Sequence, residues 1–153
     1  MKSTEHSSGK PLRHLPNWLF YTIAIAAFIG FLDSSYLTVN HYSGAELNCS
    51  LTKGCGEVTT SEYSKIFGIP LALLGMLYYI SVLITAFAYF DTKKKVLLKL
   101  LLPLTSAGIL ASAYFVYLQL FVIHAICQYC MLSAITSTLL FILAIISFKY
   151  SNK

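Results

Sequence analysis

Four stretches of this chain run for the length of a bilayer almost without charge: 18–39, 69–90, 100–123 and 125–148. A helix rising 1.5 Å per residue needs about twenty apolar residues to cross the hydrocarbon core. Only Asp33 interrupts the first run, and the other three carry no charge. Apolar residues make up 57% of the 153 positions and charged residues 11%, against about a quarter charged in a soluble domain. That composition excludes an ordinary soluble enzyme. It also excludes disorder, which needs few apolar residues and high net charge. The net charge of +5 then points to a bilayer and not to nucleic acid. The expected fold is an all-α integral membrane protein, a four-transmembrane-helix bundle occupying 1–153 as a single domain.

The first run has a basic lead, Lys2, Lys10 and Arg13, and small residues at Ala24, Ala26 and Ala27. It resembles a signal peptide to that extent, but its apolar stretch outlasts a signal h-region and reads as a retained span. Lysine and arginine counts orient the bundle. Lys2, Lys10, Arg13, Lys93, Lys94, Lys95, Lys99, Lys149 and Lys153 fall on one side, nine of the eleven basic residues. Lys53 and Lys65 fall on the other, with Glu46, Glu57 and Glu62. Both termini and the 91–99 connection are therefore expected in the cytoplasm. The 41–67 loop and a tight turn at His124 face outward. Trp18, Tyr21, Tyr42, Tyr89 and Tyr150 sit near the expected interfaces, as aromatic belts do. Ala107, Gly108, Ala111 and Ser112 give the third span a small-residue stripe that lets helices approach.

All four cysteines lie on the outer side. Cys49 and Cys55 are in the outer loop, and Cys127 and Cys130 open the fourth span. An extracytoplasmic compartment permits disulfides. In Cys127-Gln128-Tyr129-Cys130 the thiols, three residues apart, share a helix face. The helix N-terminus stabilises a thiolate, the reactive form. Lys53, Gly54 and Gly56 around Cys55 suggest an accessible loop suited to disulfide exchange. Two structural disulfides would use the same residues, and so would a four-cysteine zinc site. An oxidising space disfavours zinc, so no metal is expected.

Asp33 is a carboxylate inside a span, which marks either a functional group or one held by Ser34, Ser35 or a neighbouring helix. Both readings stay open. His124 reads as a turn residue near the interface.

Taken together, the residues resemble the vitamin K epoxide reductase family. The resemblance rests on a Cys-x5-Cys in the first outer loop, a Cys-x-x-Cys opening the last of four spans, and Asp33-Ser34-Ser35-Tyr36-Leu37-Thr38 late in the first. The run from Cys55 to Pro70 adds Ser61 six residues after the cysteine, Tyr63, and Phe67-Gly68-Ile69-Pro70. Gly75 with Tyr78 and Tyr79 continues it. It covers about 18–148. Many prokaryotic members carry a fused thioredoxin-like domain or a fifth span, for which this chain has no room. The resemblance therefore implies a separate thioredoxin-fold (DsbA-like) partner. The tyrosine that animal members place four residues after the last cysteine is Ala134 here, and their asparagine has no match in Leu71-Ala72-Leu73-Leu74. Those departures point to quinone reduction and not epoxide reduction.

The relay implied is a partner attacking the Cys49–Cys55 disulfide at Cys55. Cys49 then attacks Cys127, and Cys130 passes electrons to menaquinone or ubiquinone. Ser61 is the expected hydrogen-bond partner of the quinone. Tyr63, Phe67 and Tyr79 line its pocket, Asp33 contributes to it, and a short half-helix over 58–67 caps it. The expected activity is that of a quinone-dependent thiol oxidoreductase supporting disulfide formation at the inner (cytoplasmic) membrane. The disulfide-bond B family also has four spans and two cysteine pairs, but places Cys-x-x-Cys in the first outer loop, the reverse of the order here. A non-catalytic bundle or assembly subunit stapled by two disulfides is the alternative from another class. A transporter fits less well, since paired interrupted helices are absent.

Overall fold

The computed structural model describes residues 15–44, 47, 49–50 and 54–152. Lys2, Lys10, Arg13, Glu46, Lys53 and Lys153, used above for orientation, lie outside the described residues. Helix α1 spans Asn17–Ser43, α2 Cys55–Thr60, α3 Leu71–Thr92, α4 Lys95–Tyr117 and α5 Gln128–Asn152. Helix α4 runs on as a π-helical turn over Leu118–Ile123. Helices α1, α3, α4 with its π turn, and α5 are long and apolar enough to cross a membrane. Helix α1 packs on α3 and α5, and α4 packs on the same two, so the four close into a ring. Outward faces carry Ile25, Phe28, Ile84, Leu110 and Ile135, all exposed. A bundle that is apolar outside as well as inside suits lipid and not water.

The helices outrun the charge-free stretches because their polar ends bond back to their own backbone. Asn40 Nδ2 donates to Tyr36 O at 2.8 Å and Ser43 Oγ to Asn40 O at 3.2 Å. Helix α1 therefore continues past residue 39 until Gly44, at φ 65°, caps it in the left-handed region. The expected 91–99 connection shrinks to Lys93 and Lys94. Lys93 adopts φ 53° and returns its N–H to Tyr89 O at 2.8 Å, which turns the chain at once into α4. Lys95 and Lys99 are then helical, their long stems free to carry the charge out of the bundle.

The expected half-helix over 58–67 is three smaller pieces. Helix α2 starts at Cys55 and stops at Ser61, whose ψ of 154° is extended. A 3₁₀ turn follows over Glu62–Ser64, then a hairpin pairing β1 (Lys65–Ile66) with β2 (Ile69–Pro70). Phe67 and Gly68 have φ of 52° and 80°. Two positive values make the type I′ turn whose twist matches a two-residue hairpin loop.

The interior divides in two. One cluster, with Leu19, Phe20, Tyr79, Tyr89, Leu98 and Leu140, fills the bundle through to the Lys93–Lys95 end. Tyr89 is thus a core residue and not part of an interfacial belt. Trp18, Tyr21 and Tyr42 are exposed. The second cluster, at the opposite end, holds the cysteines. His124, at φ 54°, makes the turn expected of it between α4 and α5.

Candidate functional site

Cys49 and Cys55 form a disulfide, and Cys127 and Cys130 are free thiols. Cys55 and Cys127 are buried in one apolar cluster with Leu37, Leu47, Val58 and Ala125, and Cys49 and Cys130 pack against it half-buried. Backbone contact holds the two segments together. A Cβ on Gly54 would stand 2.8 Å from Ile126 N and 3.0 Å from Ile126 O. The residue before Cys55 must therefore be glycine for the loop to lie on the strand of chain leading into Cys127.

Cys127 is the N-cap of α5. Its carbonyl accepts the Met131 N–H at 3.0 Å, and its sulfur accepts the Cys130 N–H at 3.4 Å. The Cys130 thiol lies 2.9 Å from the same sulfur. Cys127 in this position satisfies one orphan donor of the helix start, as an oxygen cap does elsewhere.

The Cys127 N–H points backwards to the Gln119 side chain, donating to Oε1 at 2.9 Å. Gln119 lies in the π-helical turn, where the wider winding departs from the register of α4. It is 2% exposed. Sequence reasoning passed it over because it carries no charge, although an amide in a span is itself a polar group needing a partner.

Between the helices, beneath the cap, is a cavity of about 420 Å³, the size range of small-molecule sites. Its walls include Ser34 and Leu37 of α1, Val58 of α2, Tyr78 and Tyr79 of α3, and Gly108, Phe115 and Gln119 of α4 with its π turn. Cys130, Ser133 and Ser137 of α5 complete them. Cys130 lines this space and Cys127 does not, so Cys130 is the sulfur a bound molecule meets. Ala107, Gly108, Ala111 and Ser112 also line it. The small-residue stripe thus makes room for a cavity as well as for a helix contact.

The sequence candidates separate. Ser61, Tyr63 and Tyr79 line the cavity. The Ser61 hydroxyl donates to Val58 O at 2.7 Å. Tyr79 is 1% exposed. Its hydroxyl meets Ser133 O at 2.8 Å and the hydroxyls of Ser133, Thr136 and Ser137 at 2.9, 2.7 and 3.0 Å, which ties α3 to α5. Phe67 does not join them. The type I′ turn throws its ring outward and it is fully exposed, at 101%. Asp33 lies outside the cavity too. It is buried at 7% exposure, and neither carboxylate oxygen has a hydrogen-bond partner. The Ser35 hydroxyl, one expected partner, donates instead to Phe31 O at 2.7 Å. Among the described residues no cluster of potential metal ligands is present.

Two comparisons bear on this arrangement. The family model described as the vitamin K epoxide reductase family matches residues 21–145. The thiol-disulfide oxidoreductase LTO1 of Arabidopsis thaliana is 34% identical over 124 residues, covering 74% of this chain. The chain spans 32% of that relative's length.

Proposed function

The chain belongs to the vitamin K epoxide reductase family, and we propose that it is a membrane thiol–disulfide oxidoreductase passing electrons from a thioredoxin-fold partner to a quinone. The observation that carries this reading is the shared cluster of four cysteines, with Cys130 alone of them lining the cavity. Structural staples need no neighbouring pair and no cavity. That the Arabidopsis relative is a thiol-disulfide oxidoreductase adds support from outside the chain.

Burial favours one direction of transfer. The half-buried Cys49 is the sulfur of the loop disulfide that a partner's thiolate reaches, whereas Cys55 is 0% exposed. This reverses the order first expected. Attack at Cys49 forms a mixed disulfide and releases Cys55 as a thiolate within the cluster that also holds Cys127. Cys55 attacks Cys127 of the oxidised Cys127–Cys130 pair, and Cys130 leaves as the thiolate. The partner's second thiol then resolves the mixed disulfide at Cys49, so the partner ends oxidised. Cys49 in turn attacks Cys55, closing the loop disulfide and freeing Cys127. Two electrons now rest on the Cys127 and Cys130 thiols.

The cavity fits a quinone head group: it is apolar, of suitable volume, and bounded by the Cys130 sulfur. A quinone bound there supplies a two-electron, two-proton acceptor and departs as the hydroquinone. Cys127 and Cys130 give up those electrons and protons and close their disulfide. Ser61 and Tyr63 bound the head group from the cap, and Tyr79 from the bundle. Menaquinone and ubiquinone both satisfy this chemistry.

The proposed site is the outer face of the cytoplasmic membrane, with both termini inside. Lys93, Lys94, Lys95, Lys99 and Lys149 gather at the end opposite the cysteines, as the positive-inside rule requires. The deciding experiment is dithiol-driven quinone reduction by purified protein in detergent, with Cys130→Ala alongside. Activity in the wild type and none in a folded variant supports the proposal. Inactivity of the wild type with both quinones returns the cysteines to a structural role.

A further inference from the structure

We propose that Gln119 is a substrate-binding residue, its amide N–H groups donating to a carbonyl oxygen of the quinone beside Cys130. This rests on the quinone reading above and names the group that orients the acceptor.

A backbone N–H can only donate, so the 2.9 Å contact from Cys127 fixes Oε1 of Gln119 as the acceptor. The planar amide must then turn its NH₂ the other way. Among the described residues that NH₂ has no protein acceptor. The side-chain oxygens and nitrogens sealed from any surface without a partner belong to Asp33 and Tyr78, not to Gln119. The Gln119 nitrogen therefore keeps an opening, and the space its residue lines is the cavity that Cys130 also lines.

The competing donors are weaker candidates. Ser61 has one hydroxyl hydrogen and gives it to Val58 O. Tyr79 is engaged by α5. The Tyr78 hydroxyl is shut in against Gly108. Ser34 and Ser112 reach the cavity, but a helical serine can return its hydrogen to its own carbonyls, and neither is tied to the redox pair. Gln119 is. A polar carbonyl in an apolar cavity needs a donor, and a donor to the oxygen also draws electron density from the ring that the Cys127–Cys130 dithiol reduces. The same amide holds the backbone of Cys127, so one side chain aligns acceptor and dithiol.

The test uses menadione and its oxygen-free analogue 2-methylnaphthalene on the full chain in detergent. In Gln119→Met, KM for menadione rises about three- to tenfold, the loss of one neutral hydrogen bond, while competitive inhibition by 2-methylnaphthalene stays as in the wild type. An unchanged KM overturns the proposal, and so does equal weakening of both probes, which marks a merely structural role. The chain has two glutamines, Gln119 and Gln128. Wild-type protein labelled with ¹⁵N at the glutamine amides therefore provides a second readout that needs no folded Gln119 variant, with Gln128→Glu assigning the signals. Menadione moves the Gln119 NH₂ protons downfield of their position with 2-methylnaphthalene, whose ring current acts without a hydrogen bond. Equal positions with both probes overturn the assignment. A wild type that reduces no quinone fails the underlying reading instead, and is recognised before any variant is made.

Discussion

The sulfur of Cys127 accepts the backbone N–H of Cys130 at 3.4 Å and lies 2.9 Å from the Cys130 thiol. One atom thus caps a transmembrane helix and serves as half of a dithiol. The cap aims both sulfurs at each other before any oxidant arrives.

Mixed-disulfide trapping reads the direction of transfer. With Cys49 as the more accessible sulfur of the loop disulfide, Cys55→Ala should accumulate a covalent adduct with a thioredoxin-fold partner, and Cys49→Ala should not. Non-reducing electrophoresis distinguishes them. Adducts through Cys55 alone would restore the opposite order.

Glycine substitutions separate packing from open space. A methyl group on Gly30 would collide with the Tyr79 ring, and one on Gly108 with the ring and hydroxyl of Tyr78. Each alanine variant should lose about 1–3 kcal/mol of stability. A Cβ on Gly56 meets nothing, so Gly56→Ala in α2 should be neutral or gain up to about 1 kcal/mol from helix propensity. Thermal unfolding in detergent ranks the three; a Gly30→Ala protein as stable as wild type would refute the close contact.

Orientation is open to a direct check. A phosphatase or fluorescent reporter fused at the C-terminus should report the cytoplasm. A periplasmic signal would put the cysteines in a reducing space and remove the proposed relay.

The cysteine spacing and the four spans were legible because each has a one-dimensional cause. Crossing hydrocarbon demands an uninterrupted apolar run, and Cys-x-x-Cys needs only one helical turn to bring its thiols together. The helix ends were less legible, because Asn40 and Ser43 bond to α1 instead of ending it. The resemblance implies a half-helix over 58–67 that would turn Phe67 into the pocket. The sign of two φ angles sent it outward.

Composition and charge order alone determined that this chain forms four membrane helices, with most of its basic residues expected at one end and its thiols at the other. Those properties are sums over local residues, and a bilayer reads them locally. Tertiary structure decided which cysteine is sealed, which one meets the cavity, and that Gln119 holds Cys127 from eight residues away. Each of these depends on a π turn, a glycine contact or a helix crossing, where atoms distant in sequence compete for one small volume. No periodicity in the chain records the outcome of that competition.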